Sequence, residues 1–264
     1  MTMNDFSTAL ITGASSGIGY ELAKIFAIEG HNLVLVARDE DKLLELAGQV
    51  RHHRDDLETR VIVCDLSDPT APESIYETLA AESVNLDILV NNAGIGCHGA
   101  FHQLDRQFML DMVQVNVHAV VHLTHLFLPG MVERGKGKVL NVASTAAFQP
   151  GPFASNYYAS KSFVLSFTEA LAVELEGSGV TATALCPGLT RTNFHARMGV
   201  AELGSMKSMF MSAEAVARAG YAGLMKGKTI VIPGFKNALL AKMVRFFPRK
   251  FIARSIARLQ KQRR

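Results

Sequence analysis

The stretch of residues 8–19 reads Thr-Ala-Leu-Ile-Thr-Gly-Ala-Ser-Ser-Gly-Ile-Gly. Its first half is a short apolar run typical of a buried strand, and its second half is rich in glycine. A helical pattern of apolar residues follows from Ile18 to Ile28, and Gly30 closes it. A strand that turns through glycines into a helix offers backbone amides and the positive end of the helix dipole to a phosphate group. The stretch therefore predicts a nucleotide-binding turn.

The glycine spacing indicates which kind of nucleotide-binding turn this stretch forms. Gly13, Gly17 and Gly19 follow the pattern Gly-x-x-x-Gly-x-Gly rather than Gly-x-Gly-x-x-Gly. No Lys-Ser or Lys-Thr pair follows, so a P-loop is not expected. Glycines also serve turns that bind nothing, and it is the strand before and the helix after that favour the phosphate-binding interpretation.

Short apolar strands alternate with helices along the rest of the chain. Six further strands are predicted, near residues 33–36, 61–63, 88–90, 139–142, 180–185 and 229–232. Long helices are predicted over about residues 105–128 and 157–176. This alternation predicts an α/β fold, a doubly wound parallel sheet of Rossmann type with helices on both faces. We expect one domain over residues 1–235 and a basic helical tail over residues 236–264.

Composition limits the alternatives. The 264 residues are 48% hydrophobic and 19% charged, which suits a sizeable core. Cys64, Cys97 and Cys186 lie far apart, so neither a disulfide framework nor a zinc site is expected, and no other metal-ligand spacing occurs. The first residues lack the pattern of a signal peptide, and no unbroken apolar run is long enough to span a membrane. We therefore expect a cytoplasmic protein without a metal site.

The tail differs in charge from the rest of the chain. Residues 236–264 hold ten of the 27 Lys and Arg and none of the 24 Asp and Glu, so the tail carries +10 and the remainder −7. Apolar residues recur there at near-helical spacing, and Pro248 should interrupt the helix. A basic amphipathic helix can lie on an anionic membrane, and it can equally dock on the body or on another subunit. Nucleic-acid binding is not expected.

A second group of residues carries catalytic potential. Tyr157 and Lys161 are four residues apart, so a helix would place them on one face. This spacing alone is weak, because wet helix faces often show it. The neighbouring Tyr158 has Ser162 at the fourth position after it, which selects Tyr157.

Five motifs in order resemble the short-chain dehydrogenase/reductase family over about residues 6–235. They are residues 12–19, Asn91-Asn92-Ala93-Gly94, Ser144, Tyr157-x-x-x-Lys161 and Pro187-Gly188. The resemblance implies an oxidoreductase that transfers a hydride between a nicotinamide cofactor and a carbonyl or secondary alcohol. It also implies a homodimer or homotetramer, because relatives commonly pair through their two long helices.

The resemblance assigns catalytic roles to four residues. Tyr157 would be the general acid in reduction and the base in oxidation. The Lys161 ammonium would lower the pKa of that phenol and hydrogen-bond the nicotinamide ribose. Ser144 would donate a hydrogen bond to the substrate oxygen, and Asn116 would hold a water that links Lys161 to solvent.

The resemblance also implies a set of cofactor-binding residues. They are Gly13, Ser15, Ser16, Gly17, Ile18, Gly19, Arg38, Asp65, Leu66, Asn92, Ala93, Gly94, Tyr157, Lys161, Pro187, Gly188, Thr190 and Thr192. Arg38, at the end of the second strand, suits the 2′-phosphate of NADP, although Asp39 could instead bind the ribose of NAD. NADP (NADPH) is therefore the favoured cofactor and NAD the alternative. Asp65 could also cap a helix or turn.

The substrate side is less constrained. Predicted substrate residues are Ser144, Gln149, Phe153 and Tyr157. His98 and Ala146 are further candidates for the substrate pocket. The insertion 188–212 is rich in methionine and could form a lid over a fairly apolar carbonyl compound, or could simply pack on the body. An alternative function is a sensor or membrane-associated protein that binds NADP(H) with little turnover.

Overall fold

The computed structural model describes residues 6–198 and 210–261, and a seven-stranded sheet forms its centre. The strands are β1 (Thr8–Thr12), β2 (Asn32–Ala37), β3 (Thr59–Val63), β4 (Ile88–Asn91), β5 (Gly137–Val142), β6 (Val180–Leu185) and β9 (Ile230–Val231). All pair in parallel, in the order β3-β2-β1-β4-β5-β6-β9. The predicted doubly wound parallel sheet is confirmed.

Helices cover both faces of this sheet. They are α1 (Gly17–Ile28), α2 (Glu40–His53), α3 (Ala71–Ala81), α4 (Arg106–Val113), α5 (Ala119–Glu133), α6 (Ser155–Glu174) and α8 (Ala213–Met225). One buried cluster joins α1, α2 and α8 to one face of the sheet, and a second joins α3, α5 and α6 to the other. Two short strands, β7 (Thr190–Arg191) and β8 (Met211–Ser212), form a separate pair that the sequence did not predict, with α7 (Phe194–Arg197) between them.

The strand order reverses between β1 and β4, and this reversal positions the site. β1 leads through α1 to β2 on one side, whereas β4 leads to β5 on the other. The loops that leave the carboxyl ends of β1 and β4 therefore diverge and leave a crevice between them. The glycine-rich turn and the Asn91 to Gly94 turn both lie at this crevice.

One long helix requires a correction to the sequence prediction. The continuous helix Arg106–Glu133 joins α4 and α5 through a π-helical turn, Gln114–His118. An 18-residue stretch of it has a mean hydropathy of 1.3, which would suffice for a membrane span by length and composition alone. The sequence analysis predicted a long helix over about residues 105–128, but not one apolar enough to cross a membrane. Its inner face is nevertheless buried in the core, through Val115, Leu123 and Phe127, so we interpret it as a core helix.

The tail folds as two helices, as the proline predicted. α9 (Phe235–Met243) is followed by a single 3₁₀ turn, Val244–Phe246, and α10 (Arg249–Lys261) begins directly after Pro248. Asn237 and Ala241 of α9 are buried, and so is Gln260 of α10. Both helices of the tail are therefore docked on the body.

A buried polar chain joins the middle of the sheet to the two long helices. The Asn91 amide donates to Thr124 Oγ1 (3.1 Å) and to Asn141 Oδ1 (2.8 Å). Asn141 Nδ2 donates in turn to Thr168 Oγ1 at 2.9 Å. Both threonine hydroxyls donate to carbonyls of their own helices at 2.6 Å. The chain fixes α5 and α6 against β4 and β5, which carry the site loops.

This polar chain yields a stability prediction. Thr168→Val should lower the free energy of unfolding by about 1–3 kcal/mol, because it leaves the buried Asn141 amide without an acceptor. Thr183→Val is the matched control: Thr183 is equally buried, but its hydroxyl has no hydrogen-bond partner among residues 6–198 and 210–261. Loss of the Thr183 hydroxyl should leave the free energy of unfolding almost unchanged. Urea unfolding measures both changes in the free energy of unfolding. Equal losses in the two variants would contradict the stabilising role assigned to the buried hydrogen bonds.

Candidate active site

A cavity of about 960 Å³ opens at the carboxyl ends of β1, β4, β5 and β6. This volume lies at the upper end of the range for small-molecule sites, about 300–1,000 Å³. The cavity extends from Arg38 and Asp65 at one end to Tyr157 and Gln260 at the other. It therefore has room for an extended ligand with a second molecule beside its inner end.

The glycine turn forms one wall of the cavity. Gly13 and Gly17 have φ values of 67° and 62°, a region that favours glycine. Gly19 does not line the cavity; a Cβ there would lie 2.4 Å from both the Gly13 carbonyl oxygen and Asn92 Nδ2. The glycines thus let the start of α1 close on the Asn92 turn, which leaves the cavity side of the turn free for a phosphate.

At the end of β2 the structure shows different partners for Arg38 and Asp39, the two charged residues whose roles the sequence left ambiguous. The Arg38 side chain is largely exposed, at 62%, and its guanidinium lies 3.5 Å from Asp65 across the cavity mouth. Asp39 instead caps α2 by accepting from the Lys42 amide at 3.2 Å, and it pairs with the Lys42 ammonium. The hydrogen bond from Lys42 holds the pKa of Asp39 below its usual value. This corner therefore presents Arg38 and Lys42, while Asp39 is already engaged.

The inner end of the cavity brings three predicted residues together. Tyr157 lies in the first turn of α6, and Ser144 follows β5 and caps a 3₁₀ turn by accepting from the Ala146 amide. Lys161 is buried behind them, with its ammonium donating to the Val142 carbonyl at 2.8 Å and lying 6.0 Å from the centre of the Tyr157 ring. The phenol, the hydroxyl and the ammonium thus share one wall.

Burial controls the ionisation of this group. It raises the pKa of Tyr157 to about 12, against the opposing effect of a hydrogen bond with Ser144. It also lowers the pKa of Lys161 to about 8. The sequence predicted that the ammonium would lower the pKa of the phenol; in the structure burial raises it instead, opposed by the hydrogen bond with Ser144. Tyr157 is consequently a protonated phenol at neutral pH.

Asn116 lies behind the cavity wall. It is fully buried in the π-helical turn, where its Oδ1 accepts from the Ile95 amide and its Nδ2 donates to the Ile95 carbonyl, both at 2.9 Å. Its Nδ2 also lies 3.1 Å from Ser160 Oγ. The side chain therefore clamps the loop after β4 next to Lys161. Its predicted role of holding a water stays a prediction.

Most predicted site residues line the cavity. Those that do are Gly13, Ser15, Ser16, Gly17, Ile18, Arg38, Asp65, Leu66, Asn92, Ala93, Gly94, Ser144, Ala146, Gln149, Tyr157, Lys161, Pro187, Gly188, Thr190 and Thr192. Gly19 and Asn116 support the wall from behind, and His98 and Phe153 are not part of the lining. The Phe153 ring instead lies under the Lys261 ammonium, at 5.8 Å. The proposed substrate contact of Phe153 is thus not seen in this conformation.

The sequence missed several lining residues. Lys42, Tyr158 and Gln260 line the cavity although none was selected. Lys42 could have been found from its position three residues after Asp39, one helical turn away. Of the methionine-rich insertion, Phe194 and Met198 line the cavity, whereas residues 199–209 lie outside the described residues. No group of three His, Cys, Asp or Glu that could hold a metal ion occurs within the described ranges.

Comparison with known proteins agrees with this geometry. The sequence model of the short chain dehydrogenase family matches residues 7–202. The chain belongs to this family. A Streptomyces coelicolor protein assigned as a ketoacyl reductase is 37% identical to this chain over 194 residues, which are 73% of this chain and 74% of that protein.

Solved structures extend the likeness to the whole fold. A short-chain dehydrogenase from Sphingobium yanoikuyae in complex with NADPH is 33% identical, with a TM-score of 0.80 and coverage of 87% of this chain and 89% of that one. A family member from Burkholderia phymatum in complex with NAD is 25% identical, with a TM-score of 0.79 and coverage of 92% and 94%. The chain is therefore an oxidoreductase of this family. The fold of the family binds NAD(P)H, and its enzymes act on small molecules.

Proposed function

We propose that this protein is an NADPH-dependent reductase of a fairly apolar ketone or aldehyde, with Tyr157 as the proton donor. The observation that carries the proposal is the shared wall of Tyr157, Ser144 and Lys161 at the inner end of a cavity whose outer end presents Arg38 and Lys42. Bound nicotinamide would supply the hydride, and the protein supplies position and electrostatics.

The protein groups can complete the proton transfer in the direction of reduction. A phenol with a pKa raised to about 12 holds its proton at neutral pH and can give it to a carbonyl oxygen as negative charge develops there. The Ser144 hydroxyl can donate a hydrogen bond to the same oxygen. The buried Lys161 ammonium then stabilises the tyrosinate that remains, because charge interactions strengthen in a poorly solvated site.

The residues also fit a dinucleotide phosphate chain and a 2′-phosphate. The turn from Gly13 to Gly17 would receive the diphosphate at the start of α1. Arg38 and Lys42 would hold the 2′-phosphate, because both are cations at the cavity mouth and Asp39 is paired with Lys42. The NADPH complex of the Sphingobium yanoikuyae relative supports this choice, while the NAD complex of the other relative makes it a matter for experiment.

The substrate end of the cavity is mostly apolar. Phe194 lies against the Tyr157 ring, with 5.5 Å between ring centres, and Met198 and Ala146 line the same region. Such a surface favours a carbonyl compound with apolar substituents, which agrees with the ketoacyl reductase assignment of the Streptomyces coelicolor relative.

The first prediction of enzyme behaviour concerns the pH dependence of reduction. Below pH 8 the Lys161 ammonium is present, and above it the ammonium is lost, because its pKa is lowered to about 8. With NADPH saturating, kcat/KM for a reducible ketone should therefore be flat at lower pH and fall as pH rises through about 8. Lys161→Met should be slow and lack this decline. Tyr157→Phe should lose at least about a hundredfold in kcat while still binding NADPH.

NADPH oxidation across ketones, aldehydes, steroids, sugars and acyl thioesters provides the assay. Unchanged turnover in Tyr157→Phe would sink the proton-donor role. If the protein binds NADPH tightly and oxidises it with none of these compounds, the alternative function, an NADP(H)-binding sensor with little turnover, is favoured instead.

The second prediction concerns the choice of cofactor. Arg38→Ala and Lys42→Ala should each raise the Kd of NADPH by roughly ten- to a hundredfold, because each removes a charge-assisted hydrogen bond to the 2′-phosphate. The Kd of NADH, which lacks this phosphate, should change much less. Lys42→Ala also frees the Asp39 carboxylate, so its NADH affinity should improve. Arg51→Ala, at an exposed position of α2 outside the cavity lining, is the control. Fluorescence titration measures these constants; parallel losses for both cofactors would refute the 2′-phosphate site.

We also propose that the tail contacts an anionic membrane from the cytoplasmic side. The outer face of α10 carries Arg249, Lys250, Phe251 and Arg254, all exposed, and the preceding turn exposes Phe246 at 86%. Aromatic side chains beside cations, with no acid in the tail, are the chemistry that an anionic lipid surface attracts.

Charge reversal tests this contact without removing the docked helices. Replacing Arg249, Lys250 and Arg254 by Glu should weaken binding to phosphatidylcholine vesicles that contain phosphatidylserine by at least about a hundredfold, since each cation near the surface contributes about 1 kcal/mol. A matched triple variant, with Glu at the exposed positions Arg51, Arg106 and Lys228, should bind like the parent. Co-sedimentation of vesicles provides the measurement. Equal behaviour of the two variants, or no binding by the parent, would rule the contact out.

A homodimer or homotetramer remains our proposal for the assembly. The two long helices expose apolar side chains, among them Leu110, Phe163 and Val173. Such side chains are unusual on a solvated helix face and suit a subunit contact. Light scattering of the parent would show the mass, and a monomer would contradict the proposal.

A further inference from the structure

The C-terminal helix reaches the substrate end of the cavity through one residue. Gln260 is 4% exposed, and it is the buried residue of α10. It lines the cavity together with Tyr157 and Tyr158. Its Nε2 lies 3.2 Å from the Tyr158 hydroxyl oxygen, 102 positions earlier in the chain. The tail thus contributes a polar side chain to the wall of the cavity.

The other end of this amide is unsatisfied. Gln260 Oε1 is buried and has no hydrogen-bond partner among residues 6–198 and 210–261. A side chain that only anchored the helix would gain most by pairing both ends, because a buried carbonyl oxygen without a donor is costly. An unpaired acceptor in the wall of a cavity is instead what a site for a hydrogen-bond donor presents before its ligand binds.

The neighbourhood holds the amide in place. Tyr158 follows Tyr157 directly on α6, with 6.1 Å between the ring centres, and its ring packs so closely on Gly151 that a Cβ there would lie 2.1 Å away. The Lys261 ammonium lies over the Phe153 ring at 5.8 Å, which secures the end of α10. A fixed tyrosine and a fixed helix end leave the amide little freedom to turn away from the cavity.

We infer that Gln260 is a specificity-determining residue of the substrate site, whose free carbonyl oxygen accepts a hydrogen bond from a hydroxyl or amide N–H group of the substrate. Gln260 and Tyr157 line the same cavity, so the group that Gln260 binds belongs to the molecule whose carbonyl reacts at Tyr157. The substrate class is therefore a largely apolar ketone that carries a second polar group with a hydrogen to donate. This inference rests on the proposed reductase function and deepens it.

Three ketones of similar size test the inference. They are meta-hydroxyacetophenone, which can donate a hydrogen bond, meta-methoxyacetophenone, which can only accept one, and meta-methylacetophenone, which can do neither. The parent enzyme should reduce the hydroxyl ketone with a kcat/KM on the order of tenfold above the other two, the value of one hydrogen bond. Gln260→Met, which keeps the length of the side chain but removes the acceptor, should bring this ratio close to one.

Two further variants separate recognition from structure. Gln260→Glu retains an acceptor and should retain the preference for the hydroxyl ketone. Arg254→Gln, on the exposed face of the same helix, should leave the ratio unchanged. Thermal unfolding and the Kd of NADPH are measured for every variant, so that a general loss of structure is recognised by its effect on both.

Each outcome decides the question. A ratio that survives Gln260→Met would place the preference elsewhere and would overturn the inference. Equal rates for the three ketones in the parent enzyme would also overturn it, and so would failure to reduce any of them while other ketones are reduced. Failure to reduce any carbonyl compound, with NADPH bound, would instead count against the proposed function itself.

Discussion

The site depends on one small set of hydrogen bonds that joins two loops. The Thr12 hydroxyl, at the end of β1, lies 3.3 Å from the Val90 carbonyl oxygen and accepts from the amides of Asn92 and Ala93 at 3.0 Å. Asn92 Nδ2 donates back to the Thr12 carbonyl at 2.8 Å. These bonds bridge the two strands between which the sheet order reverses. They extend the pairing of β1 with β4 into the loops beyond the strands and so help to set the separation of the glycine turn from the Asn92 turn.

Burial, rather than charge pairing, sets the chemistry at the inner end of the cavity. Tyr157 and Lys161 are both poorly solvated, so each favours its neutral form, and the two pKa values move apart, that of Tyr157 upwards to about 12 and that of Lys161 downwards to about 8. The phenol remains protonated and the amine lies close to its titration point at physiological pH.

The sequence predicted the fold in some detail and the site in part. β1 and β6 have the predicted bounds because their apolar runs end at glycine or at Pro187. The order of the strands could not be predicted from periodicity, because a strand's apolar pattern is the same wherever it lies in a parallel sheet. The polar chain through Asn91, Asn141 and Thr168 was missed for the related reason that its members are far apart in sequence and resemble turn residues or helix-surface residues one at a time.

Charged positions show the same limit. Arg38 and Asp39 remained ambiguous because composition does not show which of two adjacent side chains turns towards a helix end, whereas the cap on α2 settles the direction of Asp39. The pKa of Tyr157 was misjudged because the sequence names its charged neighbour but not the depth of burial.

Gln260 shows why the tail could not be understood as a separate segment. Its apolar and basic pattern predicts an amphipathic helix, and such a helix satisfies its pattern equally well against lipid, another subunit or its own body. The structure divides these functions between faces: one buried amide meets the cavity, while the cations and aromatic rings on the other side remain exposed. One short helix therefore carries a buried face that meets the cavity and an exposed face that the proposed membrane contact would use.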